Sequence, residues 1–482
     1  MSSMRPLRIR NWLALLLVAC SVFSAAIAEA AAPKGPYPPK LPGDQAVATD
    51  TSEKFIQIAD SAKQYLKMEA FTVAKTAPAI DFAYLPGQDF PGNPWSAWGD
   101  GCAADGKFYC ASGDHKYNAF VYEWDLKTKK LRMLLDIKKF LQLPTGQYTP
   151  GKVHSLMQMG SDGCLYYSTH RGSSSYTDGK GGEKHSYKGD WVFKTNPASG
   201  ESEILLHGEV PYSLPVGQLD PERLIYYCGT QQENIFFALD CKTRKVLFQS
   251  EPGQGPHRYI MRSSSTGKVY IMGNEQRANG TLGCYDPKTN KLTAIPQTWA
   301  KKVPNPTVEP KQPNPKKAWK PFLYLETMDI RSCTAELPGG IIYIADWEGC
   351  LWKFDVKTEK AEKLGSLSIG THDKVITSID ADPTGRYLYY VGGSHGGIAA
   401  EGMPIKQYDT KTAKIKVIAF LNPFYLEKYG YNPDGTYCSA VSPDGSTMYV
   451  NMNGCLPGNV GAKNWYACGL FVIHIPESER KP

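Results

Sequence analysis

Two short signals alternate along this chain, and no other feature restricts its fold so strongly. The first is a turn followed by a strand that carries tyrosine: DGKFY with Tyr109, DGCLYY with Tyr166, PERLIYY with Tyr226, TGKVY with Tyr270, PGGIIY with Tyr343, TGRYLYY with Tyr389 and DGSTMY with Tyr449. The second is a strand ending in Asp or Asn and then a charged turn: YEWDLKTKK at Asp125, FKTNPASG at Asn196, FALDCKTRK at Asp240, CYDPKTNK at Asp286, WKFDVKTEK at Asp355 and KQYDTKTAK at Asp409. A seventh member, FVIHIP, ends at Pro476. Each repeat is two hairpins, or four strands, and such units in series predict an all-β fold, a seven-bladed β-propeller over residues 69–476. The abundance of Tyr (29), Gly (45) and Pro (35) suits short strands joined by tight turns. The seventh repeat stops after its third strand. Ala70 to Ala74, AFTVA, has strand character and lies just before blade one, so it is predicted to pair as the outer strand of the last blade and close the ring.

The flanks read differently. Arg5, Arg8 and Arg10 precede an apolar run from Trp12 to Ala28 that ends in a small-residue cleavage pattern, so residues 1–28 are expected to be an export signal and the protein periplasmic or extracellular. The alternative is a lipoprotein signal acting through Cys20, although the apolar run continues well past it. Residues 29–68 read as a Pro-rich linker, Pro33 to Gly43, followed by an amphipathic helix from Asp50 to Met68 with Phe55, Ile56, Ala59, Ala62, Tyr65 and Leu66 on its apolar face. Residues 477–482 read as a polar tail. No second apolar run is long enough to span a bilayer.

Removing the three signal arginines lowers the formal charge from +7 to +4, too little to argue for a nucleic-acid partner. Of the 12 cysteines, Cys20 lies in the signal. An oxidising compartment would permit disulfides, and Cys102 with Cys110 and Cys333 with Cys350 are the pairs on neighbouring predicted strands. No CxxC or CxxCH occurs, so thiol-redox chemistry, a Cys-rich zinc site and c-type haem lack support.

Chemistry is best sought in the hairpin Gly151 to Gly172, GKVHSLMQMGSDGCLYYSTHRG, whose turn sits midway between His154 and His170. Regular pairing would bring the two imidazoles to its open end, where they could act as an acid/base pair, with Arg171 adjacent. Propeller topology places the DG and DxKTxK turns on one face, where they are structural. The other face receives His115, His154, His170, His185, His207, His257, His372 and His395, with Arg171, Arg258, Asp346 and Trp347; only His474 falls elsewhere. The long loop Trp299 to Lys320 adds Lys301, Lys302, Lys311, Lys316, Lys317 and Lys320 to that face, which favours an anionic ligand.

YTPGKVHS (Tyr148 to Ser155), the stretch GDHKYNAFVYEWD from Gly113, the returning STHRG and GQGPHRY around His257 resemble the seven-bladed propeller polysaccharide lyases, a group that includes ulvan lyases and, more distantly, oligogalacturonate lyases. The resemblance covers residues 95 to 290, and the later blades only through the repeat. It implies β-elimination next to a uronic acid in an anionic glycan. His154 and His170 would be the acid/base pair, Tyr212 a second proton-transfer residue, and Arg258 or Arg171 the carboxylate clamp. His115, Arg171, His257, Trp347 and His395 would bind substrate. The family pattern leads one to expect an arginine where this chain has Gln231 and Gln232. No cofactor is required. A divalent metal, as in oligogalacturonate lyases, is the neighbouring possibility, with His257, His372 and His395 as its ligands. A monomer is expected. The competing readings are a non-catalytic propeller that binds carbohydrate or protein, and a lactonase-type hydrolase, for which Asp346 would be the one obvious acidic calcium ligand.

Overall fold

In the computed structural model, which describes residues 39–88, 95–144, 146–172, 187–297, 301–304, 323–326 and 328–481, the aspartate of each charged turn folds the chain back with its own side chain. Asp240 Oδ1 accepts from the backbone N–H of Lys242 (2.8 Å) and Thr243 (3.1 Å), Asp355 and Asp409 repeat both bonds, and Asp125 and Asp286 accept from Thr128 and Lys288 respectively. Four residues after each aspartate the chain passes through the left-handed region, at Lys129, Arg244, Asn290, Glu359 and Ala413. That conformation returns the next strand in register.

Seven sheets follow in chain order, with strands inside 102–136, 158–206, 216–249, 260–296, 330–366, 379–420 and 432–474. Within a blade, successive strands pair antiparallel with their neighbours. The first strands of successive blades touch one another around the whole circle, including Asn432–Val441 against Cys102–Ala104, so the ring is closed. The chain is a seven-bladed β-propeller. The repeat tyrosines Tyr109, Tyr166, Tyr226, Tyr270, Tyr343, Tyr389 and Tyr449 are all buried on second strands. Several pack between blades: Tyr449 stacks on Phe108 across the last and first blades (5.0 Å), and Tyr270 meets Phe354 across the fourth and fifth (4.9 Å). Each such burial stabilises by about 1.5–3 kcal/mol.

Closure uses a different strand from the one expected. Ala79–Tyr84 pairs antiparallel with Trp465–His474 as the outer strand of the seventh blade, and Ala48–Thr51 pairs outside it. AFTVA contributes Phe71–Val73 instead to the sixth blade, parallel to Lys414–Phe420. The physical difference is core-facing bulk. Ile80 and Phe82 are fully buried, with Phe82 stacked on Phe471 at 4.7 Å, whereas AFTVA offers three paired residues of which Phe71 is buried and Val73 only partly so.

The helix expected over Asp50 to Met68 is likewise replaced, by a strand end, a turn of 3-10 helix at Glu53–Ile56 and one α-turn at Asp60–Lys63. Its apolar residues do face inward (Phe55, Ala62, Leu66), but the backbone is drawn into pairing with the propeller, where Lys67 N–H donates to Ile369 O at 2.8 Å. Leu41, within the stretch read as a linker, is also buried. The polar tail is a short helix, Glu477–Arg480, docked by buried Glu479, which accepts from Lys75 N and Thr76 N and pairs with Lys416. The export signal with Cys20, and residues up to 38, lie outside the described residues.

All eleven described cysteines are free, which corrects both expected disulfides. Cys102 lies opposite Tyr109, so Cys110, one residue on, points to the other face of the sheet. Cys333 and Cys350 are separated by the intervening strand Ile341–Asp346, beyond disulfide reach. Among the described residues no helix is long and apolar enough to cross a membrane.

Candidate functional site

The leading ends of the seven inner strands surround a cavity lined by Trp98, Asp100, His154, Arg258, Arg331 and Tyr437, among others. His154, Arg258, Arg331, Thr377 and Tyr437 each stand twelve residues before the turn tyrosine of their repeat, at Tyr166, Tyr270, Tyr343, Tyr389 and Tyr449. The repeat therefore places one lining side chain from each of five blades, the second and the fourth to seventh, around the channel axis.

The hairpin carrying the two histidines is regular only near its turn, at Gln158–Met159 and Leu165–Ser168, and a bridge between Val153 and Thr169 extends it. Gly151 is required beyond that bridge, because a Cβ there would run into the backbone of His115, whose N–H donates to Gly151 O at 2.9 Å. The imidazoles of His154 and His170 meet edge to face, with centroids 5.1 Å apart. His154 Nδ1 donates to the Pro215 carbonyl at 2.9 Å, which fixes the proton there and leaves the lone pair on Nε2. His170 is buried, with Nδ1 2.5 Å from Ser213 Oγ.

Cations dominate the surroundings. Lys152 and Arg331 are each only 4% exposed. Lys152 Nζ lies 4.5 Å over the Trp98 ring, and the Arg331 guanidinium sits between Trp347 (5.2 Å) and Tyr437 (5.3 Å). Burial, reinforced by Arg171 and Arg258, pushes the Lys152 ammonium well below the usual lysine range. Burial and the positive field of Lys152, Arg258 and Arg331 hold His154 well below the usual imidazole range, and burial with Lys152 does the same to His170. Both histidines are therefore neutral, and neither is poised as an acid. On the cavity wall, burial pushes the Asp100 carboxyl up to about 7 despite hydrogen bonds from Ser378, Ser439 and Gly101.

The other sequence-derived residues divide. His115, at positive φ, meets Trp98 (4.4 Å) and Trp95 (5.1 Å) in tilted ring contacts, and its Nε2 is buried without a hydrogen-bond partner among the described residues. His257 and His395 flank Trp347 at 6.0 and 6.2 Å, and His395 also meets Tyr437 at 5.6 Å. Arg171 is exposed, beside residues 173–186, which with His185 lie outside the described residues, as do Lys311 to Lys320. Tyr212 is not on the cavity wall: it packs against the apolar cluster between blades two and three, and Tyr437 is the tyrosine that lines the cavity. His372 is turned to Thr371 (2.9 Å), Glu401 (3.4 Å) and Tyr65, so the structure does not bring it together with His257 and His395. Among the described residues no group of three or more His, Cys, Asp or Glu could hold a metal. Asp346 is occupied by Trp352 Nε1 and two backbone N–H groups, which makes it a turn residue. Gln232, where an arginine was expected, accepts from Ser213 N–H at 2.8 Å, and Arg331 supplies a buried guanidinium from the fifth blade.

Lys152, Arg331, Tyr437, Trp98, Asp190 and Ser213 were not singled out from sequence. A count of twelve residues back from each turn tyrosine would have found Arg331 and Tyr437.

No family model matches the chain, and neither does any curated protein. A chain of the solved structure titled "Crystal Structure of Mitotic Checkpoint Complex" is similar at a TM-score of 0.48 and 10% identity, over 82% of this chain and 91% of that one. The class of fold rests on the strand pairing itself.

Proposed function

We propose that this propeller is an exported lyase that cleaves a uronate-containing glycan by β-elimination. The observation that carries the reading is one cavity lined by Arg258, Arg331, the neutral His154 and the rings of Trp98 and Tyr437, with Lys152 against Trp98, Trp347 against Arg331 and His170 against His154. Buried cations that lower one another's proton affinity favour an anion between them, and aromatic faces suit the C–H faces of a sugar ring.

In the proposed reaction the arginines neutralise the C6 carboxylate and so acidify the C5 proton. His154 Nε2 takes that proton, and the electron pair of the C5–H bond becomes the C4–C5 double bond as the C4–O4 bond breaks. The leaving oxygen needs a proton. Tyr437, whose hydroxyl is kept protonated by burial, replaces Tyr212 as the proposed donor.

The test is incubation of the purified protein with a panel of uronate polymers, with ultraviolet detection of the unsaturated product. Binding of a uronate polymer with no unsaturated product at any pH would replace this reading with that of a non-catalytic carbohydrate-binding propeller.

A further inference from the structure

Behind His170 lies a buried chain of groups that no step above uses. His170 Nδ1 is 2.5 Å from Ser213 Oγ, and Ser213 Oγ donates to Asp190 Oδ2 at 2.8 Å. His170, Ser213 and Asp190 are 2%, 0% and 0% exposed. Asp190 also accepts from the hydroxyls of Tyr148 (3.1 Å), Thr169 (2.9 Å) and Tyr187 (3.3 Å). Four hydroxyl donors converge on one carboxylate, and that count matches its acceptor capacity only when it is ionised.

The proton positions then follow. A hydroxyl has one proton, and Ser213 spends it on Asp190, so its oxygen can only accept from His170. His170 must therefore carry its proton on Nδ1 and present the lone pair of Nε2, the same tautomer that the Pro215 carbonyl imposes on His154. Gln232 holds Ser213 in place through its backbone N–H, and Gln231 N–H donates to Ser213 O at 3.0 Å, which gives both glutamines a role.

We propose that Ser213 and Asp190 are positioning residues that set the tautomer of His170 and, through a buried negative charge, favour its imidazolium form, so that the His154–His170 pair can take up one proton and hold it on His170. Burial and the charges of Lys152, His154, Arg171 and Arg258 oppose protonation of His170, and the Asp190 carboxylate, relayed by Ser213, works against them. A proton taken from substrate by His154 thereby has a place to go, 5.1 Å away between ring centroids. Burial pushes Asp190 up to about 6, above its ordinary value, so below that pH the carboxyl gains a proton and the Ser213 hydroxyl is released to turn toward His170.

The inference deepens the elimination reading of the same site, yet its first readout needs no turnover. Long-range proton–nitrogen spectra of the full-length protein report which ring nitrogen of His170 is protonated. Wild type should show the proton on Nδ1, and Ser213→Ala should move it wholly or partly to Nε2, with Ser213→Thr restoring the wild-type pattern. Asp190→Asn should lower the pH at which His170 titrates. If uronate turnover is detected, Ser213→Ala should lower kcat about tenfold or more with KM within about twofold, short of the 10²–10⁴ expected for losing the imidazole itself. An unchanged His170 tautomer in Ser213→Ala, or an unchanged titration in Asp190→Asn, overturns the proposal whether or not the protein is a lyase. The expected spectra in a protein inert toward every uronate polymer would overturn the proposed function and leave this inference standing.

Discussion

His154 and Arg331 occupy one cavity but act on different quantities, and that makes them separable. The imidazole has its Nδ1 proton committed to Pro215, so what it offers a ligand is a lone pair, which matters only as a proton moves. His154→Ala is expected to lower turnover by roughly 10²–10⁴ while binding of the uronate polymer changes little. The guanidinium of Arg331 attracts an anion from the ground state onward, and more strongly as charge builds toward the enolate. Arg331→Ala should therefore weaken both binding and turnover, with Arg331→Lys recovering only part of either, because an ammonium lacks the planar fork that meets a carboxylate. Titration calorimetry beside steady-state rates separates the two; equal loss of binding in both variants would mean His154 is a contact residue and not a base. The histidine pair was legible in the sequence because both members sit in one hairpin, where pairing is local. Arg331 and Tyr437 were not, because each owes its position to its register in a distant repeat, and Tyr212 was overread because nearness to a strand start does not say which way a side chain points.

The blades were readable as elements because each turn announces itself by a carboxylate that caps its own loop, and the structure keeps that chemistry in five copies. What the repeat hid is the left-handed residue four positions later, which differs in every copy. Asn290 tolerates it through a short polar side chain, whereas Ala413, at φ 54°, has nothing to offset the crowding of its Cβ. Ala413→Gly is expected to raise stability by roughly 0.5–1 kcal/mol, and the same change at Asn290 by less. Chemical denaturation read at unchanged m-value tests this; a destabilised Ala413→Gly would show that unfolded-chain entropy outweighs the strain. The N-terminal elements were illegible for a related reason. Apolar spacing in Asp50 to Met68 fits a helix in isolation, but the backbone there is recruited by the outer strand of blade seven and by the connection between blades five and six, a pairing that exists only once the ring is built.

Closing a ring of seven sheets puts the whole molecule's integrity on the joint where its two ends meet, and here that joint carries a buried charge cluster. Asp81, in the closing strand Ala79–Tyr84, is 1% exposed and is held by His474 Nε2 (2.8 Å), Lys129 Nζ (2.7 Å) and Thr49 Oγ1 (2.6 Å), which tie together the last strand, blade one and the outermost strand. Burial alone would raise its proton affinity, but these partners outweigh burial and bring the carboxyl down to about 2 from an ordinary 3.8. Because the folded value lies below the unfolded one, the stabilisation is fully present above pH about 4 and is lost as pH falls from there through 2; the shift corresponds to on the order of 2 kcal/mol. Asp81→Asn should thus lower the melting temperature near neutral pH, and the gap between variant and wild type should narrow as the pH is taken from about 4 toward 2. Other paired carboxylates, such as Asp162 and Asp409, also lose stabilisation in acid, so the difference between the two proteins, and not the wild-type curve, is the measure. Hydrogen exchange then locates the effect. Faster exchange confined to Ala79–Tyr84 and its partner Trp465–His474 in the variant would mark this clasp as where the ring opens, and uniform acceleration across all blades would mean that the ring unfolds as one unit with no weak joint.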